Sequence, residues 1–558
     1  MQIIKSLLKI TLFVLPISAF SQATYLNQGS REYHFLERLE ILHQRNPDLN
    51  FSGIKPFNRK FIVQQAEQSD SVIRSEADKY NLQQLLMANS EWVKGDKSSF
   101  LSKKDFLNTF YKTKANFFEV DNKDFFMAIN PMLNLHGGGE SEDGSQQLFI
   151  NSRGVTVRGL IAGKVGFSST LIENQERGPR YFQREVKAYD AVPGVGFYKP
   201  FKNNPAVVDY FDARGYITFN AAKFIDFQFG YDKNFIGHGY RSLFLSDWGN
   251  SYLFGKINTR IWKFNYQNIF MELMPEFHKP GRDTLIDRKY AAMHHLSMNV
   301  TKWLNIGLFE SVVFGRRNRF DFQYLNPIIF YRHIEGTVGS PDNAFAGFDF
   351  KANVAKKFQF YGQFLLDEFL ISKLRNDPKN WVNKYGIQLG AKYINAFGIQ
   401  NLDLQAEVNR VRPFTYAHYD SVSNYTHYNQ PLAHPLGANF QEFVGILQYQ
   451  PHPKWNIYAR AMYYYKGLDS TGVNNGGNIF RDYTTRSAES GFAVGGGNKA
   501  TCFNGMLNLS YEFKHNLFFE LMMQYRRFRL SGVNTENNQS TLVSAGVRWN
   551  IFRRTYDF

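Results

Sequence analysis

The sequence predicts a transmembrane β-barrel of about eighteen antiparallel strands, preceded by a periplasmic α-helical domain. Three observations predict this fold. Apolar and polar residues alternate along many segments, the connections between these segments are alternately short and long, and aromatic residues make up 17% of the chain. A mean hydropathy of -0.39 and the lack of a long apolar run after residue 21 exclude a helical membrane protein.

The alternation is clearest in residues 402–409, where every second residue from Leu402 to Val408 is apolar. One face of such a strand lies against lipid and the other against water. Comparable segments predict strands near residues 125–136, 147–161, 163–173, 213–220, 224–232, 251–261, 263–272, 291–300, 303–314, 345–354, 357–368, 384–395, 399–410, 440–450, 454–465, 501–513, 516–528 and 540–552.

The connections between these strands place the two ends of the barrel. Short turns such as residues 301–302 and 514–515 alternate with long connections such as residues 174–212 and 466–500. In outer-membrane barrels the short turns face the periplasm and the long loops face outside. The last predicted strand, with the aromatic Phe558 behind it, is expected to close the barrel. A soluble β-sandwich is the alternative, but its turns would be more uniform in length.

The N-terminal residues 1–21 have the pattern of a secretion signal. Lys5 and Lys9 precede an apolar stretch from Ile10 to Ile17, and Ala19-Phe20-Ser21 is a small-x-small cleavage site. We therefore expect an exported protein that lies in the outer membrane of the cell.

Residues 22–120 predict the helical domain, and residues 121–558 predict the barrel. Apolar residues recur at helical spacing between Phe35 and Leu42. Asn58 and Ser75 are expected to cap the next two helices.

The formal net charge of +16 favours an anionic partner. For an exported chain, lipopolysaccharide phosphates or an acidic polysaccharide are better partners than nucleic acid. Cys502 is the only cysteine, so the sequence predicts neither a disulfide nor a cysteine metal site.

No catalytic motif stands out, so we predict a protein that is not an enzyme and that has no cofactor and no metal. His294 and His295 are adjacent in a strand and point to opposite faces, so they cannot share a metal ion. The spacing of His418, His427 and His434 matches no compact zinc pattern. An outer-membrane hydrolase with a catalytic pair at the barrel rim is a less favoured alternative.

Three segments combine aromatic rings with amide and charged side chains, as sugar-binding surfaces do: residues 235–247, residues 320–332 with 340–343, and residues 359–368. The second segment is too apolar for an exposed loop, so we expect it to fold into the barrel. The alternative is that these residues pack the lumen and brace the loop. The candidate glycan-binding residues are His238, Tyr240, Arg241, Asp247, Tyr324, Asn326, Arg332, Asp342, Asn343, Gln363 and Asp367.

A basic cluster at the outer end of a predicted strand is a separate candidate site. Arg526, Arg527 and Arg529 are expected to contact lipopolysaccharide phosphates.

Four segments carry a resemblance to a known family. They are the Leu-Glu-x-Leu-Glu run from Leu36 to Glu40, the Ile54–Arg59 segment, the Gly237–Asp247 segment, and Tyr324-Leu325-Asn326-Pro327 with Asp342-Asn343. The chain resembles the Wzi capsule-assembly family, especially its Bacteroidetes branch, over nearly the whole mature chain. The resemblance implies an eighteen-stranded outer-membrane barrel with a periplasmic helical bundle, which associates exported polysaccharide with the cell surface without enzymatic activity.

We therefore expect a protein that attaches capsular polysaccharide or exopolysaccharide to the cell surface. A gliding-motility outer-membrane protein looks similar to the same branch, so gliding motility is a further expected role, with periplasmic or motility partners bound through the helical domain. A diffusion channel for saccharides is the alternative, because a barrel of this strand number can enclose a water-filled lumen.

Overall fold

A computed structural model describes residues 23–202, 204–275, 285–316, 318–328, 330–339, 341–368, 370–532 and 535–558. The predicted secretion signal lies outside the described residues. Within the described residues, eighteen strands form a closed antiparallel barrel, and helices precede it, which confirms the predicted fold.

Every predicted barrel strand is present, and several extend further toward the outer end than the sequence indicated. The strands are β1 Phe125–Glu140, β2 Leu148–Ile161, β3 Val165–Arg177, β4 Asn204–Ala222, β5 Ile225–Asp232, β6 Tyr252–Ile261, β7 Phe264–Leu273, β8 Lys289–Asn299, β9 Leu304–Phe314, β10 Asn343–Val354, β11 Phe358–Glu368, β12 Lys384–Tyr393, β13 Leu402–Val411, β14 Phe440–His452, β15 Trp455–Leu468, β16 Asn498–Lys514, β17 Leu517–Ser531 and β18 Glu536–Trp549.

The barrel closes between β18 and β1, which pair from Leu542 and Glu140 to Trp549 and Leu133. The strand then ends earlier than predicted. Asn550 takes a positive φ of 54°, and residues 550–558 turn away from the wall and run back into the lumen, where Tyr556 and Phe558 are buried. The expected closing strand is therefore confirmed, although it ends at Trp549 and Phe558 lies inside the lumen.

Three helices precede the barrel: α1 Glu32–His43, α2 Arg59–Glu67 and α3 Glu76–Ala88. The predicted caps are confirmed, since Asn58 accepts a hydrogen bond from the Phe61 amide and Ser75 accepts one from the Asp78 amide. Further helices lie in the outer loops, at α4 Arg180–Tyr189, α5 Tyr331–Thr337 and α6 Ile371–Asn376. Among the described residues, no helix combines the length and the hydrophobicity needed to cross a membrane.

Ion pairs hold α1, and through it α3, against the end of the barrel that carries the short turns. Arg38 of α1 lies between Asp78 of α3 and Asp403 at the start of β13. Glu37 lies 2.9 Å from Lys392 and 3.2 Å from Lys55. Although burial opposes ionisation of Glu37, these two ammonium groups outweigh it and lower the pKa of Glu37 to about 2.

The lumen is filled from both ends. From the periplasmic side, a short strand at Ile54–Lys55 pairs with Phe235–Ile236, which belongs to the loop that follows β5. That loop enters from the outer side, and its Leu243–Leu245 run is fully buried in the core cluster of the inner wall. The N-terminal domain and an outer loop therefore meet inside the barrel.

The described residues of the second segment, 320–328 and 330–332, do not enter the barrel, contrary to the prediction. Tyr324, Tyr331 and Ile334 pack on side chains that point outward from the wall, including Tyr290 and Phe314. Apolar side chains avoid water equally well in the lumen and against the lipid-facing wall. Composition alone therefore could not distinguish the two places.

Candidate functional site

The predicted candidate His238 lies at the junction between the N-terminal domain and the inward loop. Its Nε2 is 3.0 Å from Asp349 Oδ1, and His295 Nε2 is 2.7 Å from the other oxygen of that carboxylate. All three side chains are buried. As predicted, His294 points to the opposite face of β8, where it meets Tyr331. The contacts of His238 brace the inward loop against the wall.

Tyr240 and Arg241 lie deeper in the lumen and bind residues 550–558. The Arg241 guanidinium is 3.2 Å from Asp557 Oδ2, and Arg460 of β15 is 3.4 Å from the same oxygen. The Tyr240 hydroxyl donates to Asp557 and accepts a hydrogen bond from Arg460. The backbone amides of Tyr240 and Arg241 donate to Glu407. This buried network joins the inward loop, the wall and residues 550–558.

Gln363 and Asp367, both on β11, face the lumen as predicted. The Gln363 side chain accepts from the Leu243 amide at 2.8 Å and donates to the Ile236 carbonyl at 3.1 Å. Asp367 accepts from the Tyr416 amide at 2.7 Å and lies 3.1 Å from Lys384. Both side chains therefore brace loops.

A cavity of about 670 Å³ remains inside the barrel, between the N-terminal domain and the inward loop. Asp247 and Arg241 line it, together with Arg214 of β4 and Arg554 of the inward-turned chain. The structure thus brings Asp247 and Arg241 to one internal space.

The candidates of the second segment lie elsewhere. Asp342 is paired with Arg316 and accepts from the Tyr324 hydroxyl at 2.6 Å, while Asn343 donates to the Ser423 carbonyl. Asn326 and Arg332 are exposed on the outside of the barrel. The eleven predicted residues therefore do not converge on one site, and their role in glycan binding stays a prediction.

The basic cluster on β17 is divided between the two faces of the strand. Arg526 faces inward and stacks on the Tyr181 ring at 4.3 Å, so it cannot reach lipid from there. Strand alternation places Arg527 and Arg529 on the opposite, outward face of β17, near the outer end of the strand. Contact with lipopolysaccharide is therefore proposed for Arg527 and Arg529 only.

The outer surface of the barrel is a set of interlocked loops. The loop after β11 pairs with the loop after β15, since the Trp381 amide donates to the Glu489 carbonyl and the Phe492 amide donates to the Lys379 carbonyl. The buried guanidinium of Arg412 donates to the carbonyls of Asn380, Asn383 and Phe492. These contacts fix the relative positions of loops that are distant in sequence.

This interlocked surface displays a group of aromatic and charged side chains, which we call the outer aromatic cluster: Trp381, His418, Tyr419, Tyr483 and Arg486. The Trp381 and Tyr483 rings are 4.9 Å apart, and the Arg486 guanidinium lies 4.0 Å from the Trp381 ring. His418 packs on Tyr419, which is 44% exposed. Sequence reasoning missed this cluster because its members come from three separate loops, although Trp381, one of seven tryptophans, was a signal.

The geometry of the outer aromatic cluster suits binding rather than catalysis. Fixed rings beside guanidinium and carboxylate groups can contact both the apolar faces and the hydroxyls of a sugar. Among the described residues, no group of three or more His, Cys, Asp or Glu side chains is placed to hold a metal ion.

Comparison with known proteins places the chain in a family. A sequence model described as capsule assembly protein Wzi matches residues 213–543, which is more than half of the chain. No match was found among curated protein sequences.

A solved structure with a TM-score above 0.5 shares the fold. An Escherichia coli Wzi structure, described as a carbohydrate-binding β-barrel involved in group 1 capsule assembly, has a TM-score of 0.57 at 12% identity and covers 94% of this chain and 98% of its own. Two Pseudomonas aeruginosa outer-membrane proteins are more distant. OprD has a TM-score of 0.39 at 10% identity, covering 76% and 95% of the two chains. OccK8 has a TM-score of 0.42 at 9% identity, covering 76% and 97%. By its match to the family model over most of the barrel, this outer-membrane chain belongs to the Wzi capsule assembly family.

Proposed function

We propose that this barrel associates a capsular or exported polysaccharide with the cell surface by binding it on the outer loops. The observation that carries the proposal is the fixed outer surface, with its aromatic cluster, above a lumen filled by protein. Polysaccharide that reaches the outside of the cell meets this surface. The carbohydrate binding described for the Escherichia coli relative supports the same ligand class.

Exposed cations in the loop of Trp381 support an acidic glycan, although Arg486 of the cluster is itself paired with Glu489. Lys373 and Arg375 are exposed on α6, in the same loop as Trp381. Cations beside aromatic planes suit uronate, sulfate or phosphate groups on a sugar chain. Arg527 and Arg529 are proposed to contact lipopolysaccharide phosphates at the rim. We propose no catalytic step, because binding alone accounts for the role.

The test of polysaccharide binding uses the wild-type protein and a Tyr419→Ala/Tyr483→Ala variant, each in detergent, with surface polysaccharide isolated from the source cells. We expect the variant to lose most of its binding. Tyr189→Ala is the matched control, because Tyr189 is similarly exposed on α4 but lies outside the cluster. Equal binding by the wild type and the double variant would reject the cluster as the site.

Deletion of the gene tests the role in the cell. We expect polysaccharide to be released into the medium instead of staying on the cell, as seen by capsule staining. Normal attached capsule would overturn the proposal. A spreading assay of the same strain tests the narrower proposal, based on the resemblance to the Bacteroidetes branch, that the association also serves gliding. Normal spreading would remove that role alone.

A diffusion channel is the alternative function, and it requires a continuous water path through the barrel. The paired strands Ile54–Lys55 and Phe235–Ile236 lie across the lumen, and so do residues 553–558. We therefore expect the purified protein to be silent in planar bilayers. A steady open conductance would favour the channel.

A further inference from the structure

The outer wall of β7, β8 and β9 is covered by a segment of the chain that we call the strap: residues 319–328 and 330–339. Which side of the wall it covers follows from strand alternation. Ile269, Met293 and Phe309 belong to the same buried cluster as the inward loop, so they face the lumen. Residues of the opposite parity on the same three strands, such as Phe270, Ala292 and Val312, face outward and pack with the strap.

Beneath the strap lies a row of polar side chains on this outward face. Asn268 pairs in register with His294, and His294 pairs with Glu310. The three side chains therefore lie side by side on neighbouring strands, near the middle of each strand. A polar row that faces hydrocarbon would be unfavourable, because lipid offers no hydrogen bonds.

The strap shields this polar row. The Tyr331 ring lies 3.9 Å from the His294 ring, and the Arg332 amide donates to Glu310 at 3.0 Å. Further down the wall, the Tyr266 hydroxyl donates to the Pro327 carbonyl at 2.5 Å. Asn268 and His294 are consequently buried on the outward face, whereas Phe364, on the outward face of β11 and away from the strap, is 40% exposed.

The backbone of the strap supplies many of its own hydrogen-bond partners. The Ile328 amide donates to the Asn326 side chain at 3.1 Å, and the Tyr324 amide donates to the Asp321 carbonyl at 3.1 Å. The His333 amide donates to the Phe330 carbonyl at 3.1 Å. Such self-sufficiency is what a hydrocarbon environment demands of a peptide backbone.

The side of the strap that faces away from the barrel is rich in large apolar side chains. Phe322 is 77% exposed, Ile328 is 84% exposed and Phe330 is 77% exposed. Water around these three side chains would be unfavourable. They project from the strap, away from the membrane-spanning strands that it covers. Acyl chains surround such strands in the membrane. The guanidinium of the exposed Arg332 is paired with the buried Glu335, 2.9 Å away.

We infer that the strap is embedded in the outer membrane, where it replaces lipid on β7–β9 and binds acyl chains through Phe322, Ile328 and Phe330. The wall has two layers at this place: strands that carry a polar row, and a strap whose exposed side includes Phe322, Ile328 and Phe330. This inference does not depend on the proposed polysaccharide binding.

The test is fluorescence quenching of a bimane label on single added cysteines in liposomes. The variants are Phe322→Cys, Ile328→Cys and Phe330→Cys, and the buried native Cys502 serves as the labelling background. Leu308→Cys is the control for lipid contact, because Leu308 faces outward from β9 and is 57% exposed. Thr471→Cys, exposed in an outer loop, is the control for water contact.

If the strap lies in the membrane, doxyl groups on acyl chains will quench the three strap labels as they quench Leu308→Cys, and aqueous iodide will not. Quenching by iodide as at Thr471→Cys, without quenching by doxyl lipid, would overturn the inference. Heat-modifiable migration on gels shows that each variant is folded. A variant that fails to fold is replaced by Leu325→Cys, on the same exposed side of the strap.

Discussion

Gly53 lies against the imidazole of His238, so closely that a β-carbon at position 53 would overlap the ring. A hydrogen bond stabilises the same contact, because the Gly237 amide donates to the Gly53 carbonyl at 2.8 Å. Gly53 belongs to the N-terminal domain and Gly237 and His238 to an outer loop. The N-terminal domain and the inward loop, which both occupy the lumen, are therefore joined at this contact.

A side chain at position 53 should separate these two parts of the chain. We expect Gly53→Val to lower the thermal stability and to produce transient conductance in planar bilayers, where the wild type is silent. Gly95→Val is the matched control, because a β-carbon at position 95 meets nothing within 4 Å. Identical conductance records for both variants would contradict the tight junction.

Asp557 is the carboxylate shared by two buried guanidinium groups. Removing it with Asp557→Ala leaves Arg241 and Arg460 short of a partner, which for a buried pair costs about 3–5 kcal/mol. We expect a loss of that size in the free energy of unfolding, measured with urea in detergent. Asp70→Ala, at an exposed position of the helical domain, should change the stability little. Equal effects of the two variants would argue against the network.

Arg412 should hold the outer loops together. Loss of even one hydrogen bond from its guanidinium costs about 1.5 kcal/mol, which raises the open population of the loops roughly tenfold. We expect Arg412→Ala to be cleaved faster by protease in residues 469–497 and to bind polysaccharide more weakly. Arg410→Ala, exposed two residues earlier, serves as the control. Unchanged cleavage in Arg412→Ala would contradict this role.

The docking of α1 should depend on pH through Glu37. The pKa of Glu37 is lowered to about 2 in the folded protein, below an ordinary value of about 4.3 in the unfolded chain. Its stabilising contribution is therefore fully present above the unfolded value and is lost as the pH falls toward 2. The stability difference between the wild type and Glu37→Gln should be large at pH 6 and small near pH 2. Glu76→Gln, exposed on α3, should show no such trend.

The strands could be predicted because their signal is local. Asp403, Glu407 and Asn409 alternate with apolar residues in the sequence, and the structure buries all three on the lumen side. No local pattern tells where a loop goes after it leaves a strand. Residues 320–332 were expected inside because they are apolar, and the outer wall satisfied that requirement equally well.

The candidate site was harder to predict for a related reason. Residues such as Tyr240 and Arg241 have the chemistry of a sugar site, but their partners, among them Arg460 and Asp557, come from distant parts of the chain. The outer aromatic cluster likewise joins Trp381, Tyr419 and Tyr483 only after three loops have packed. Contacts between residues so far apart in the sequence produce no periodic pattern from which they could be predicted.

Residues 553–558 and the Ile54–Lys55 strand both lie within a ring of strands that is sealed between β1 and β18. Strand β18, which closes the barrel by pairing with β1, leads directly into residues 550–558. The closing strand and the segment that packs inside the lumen are therefore continuous in the chain. We therefore expect insertion of this barrel to be coupled to the packing of residues 553–558 inside it. A variant that keeps Arg241 and Arg460 but scrambles residues 553–558 should pair its strands and yet acquire heat-modifiable migration on gels more slowly than the wild type, since the lumen would close around an incomplete interior.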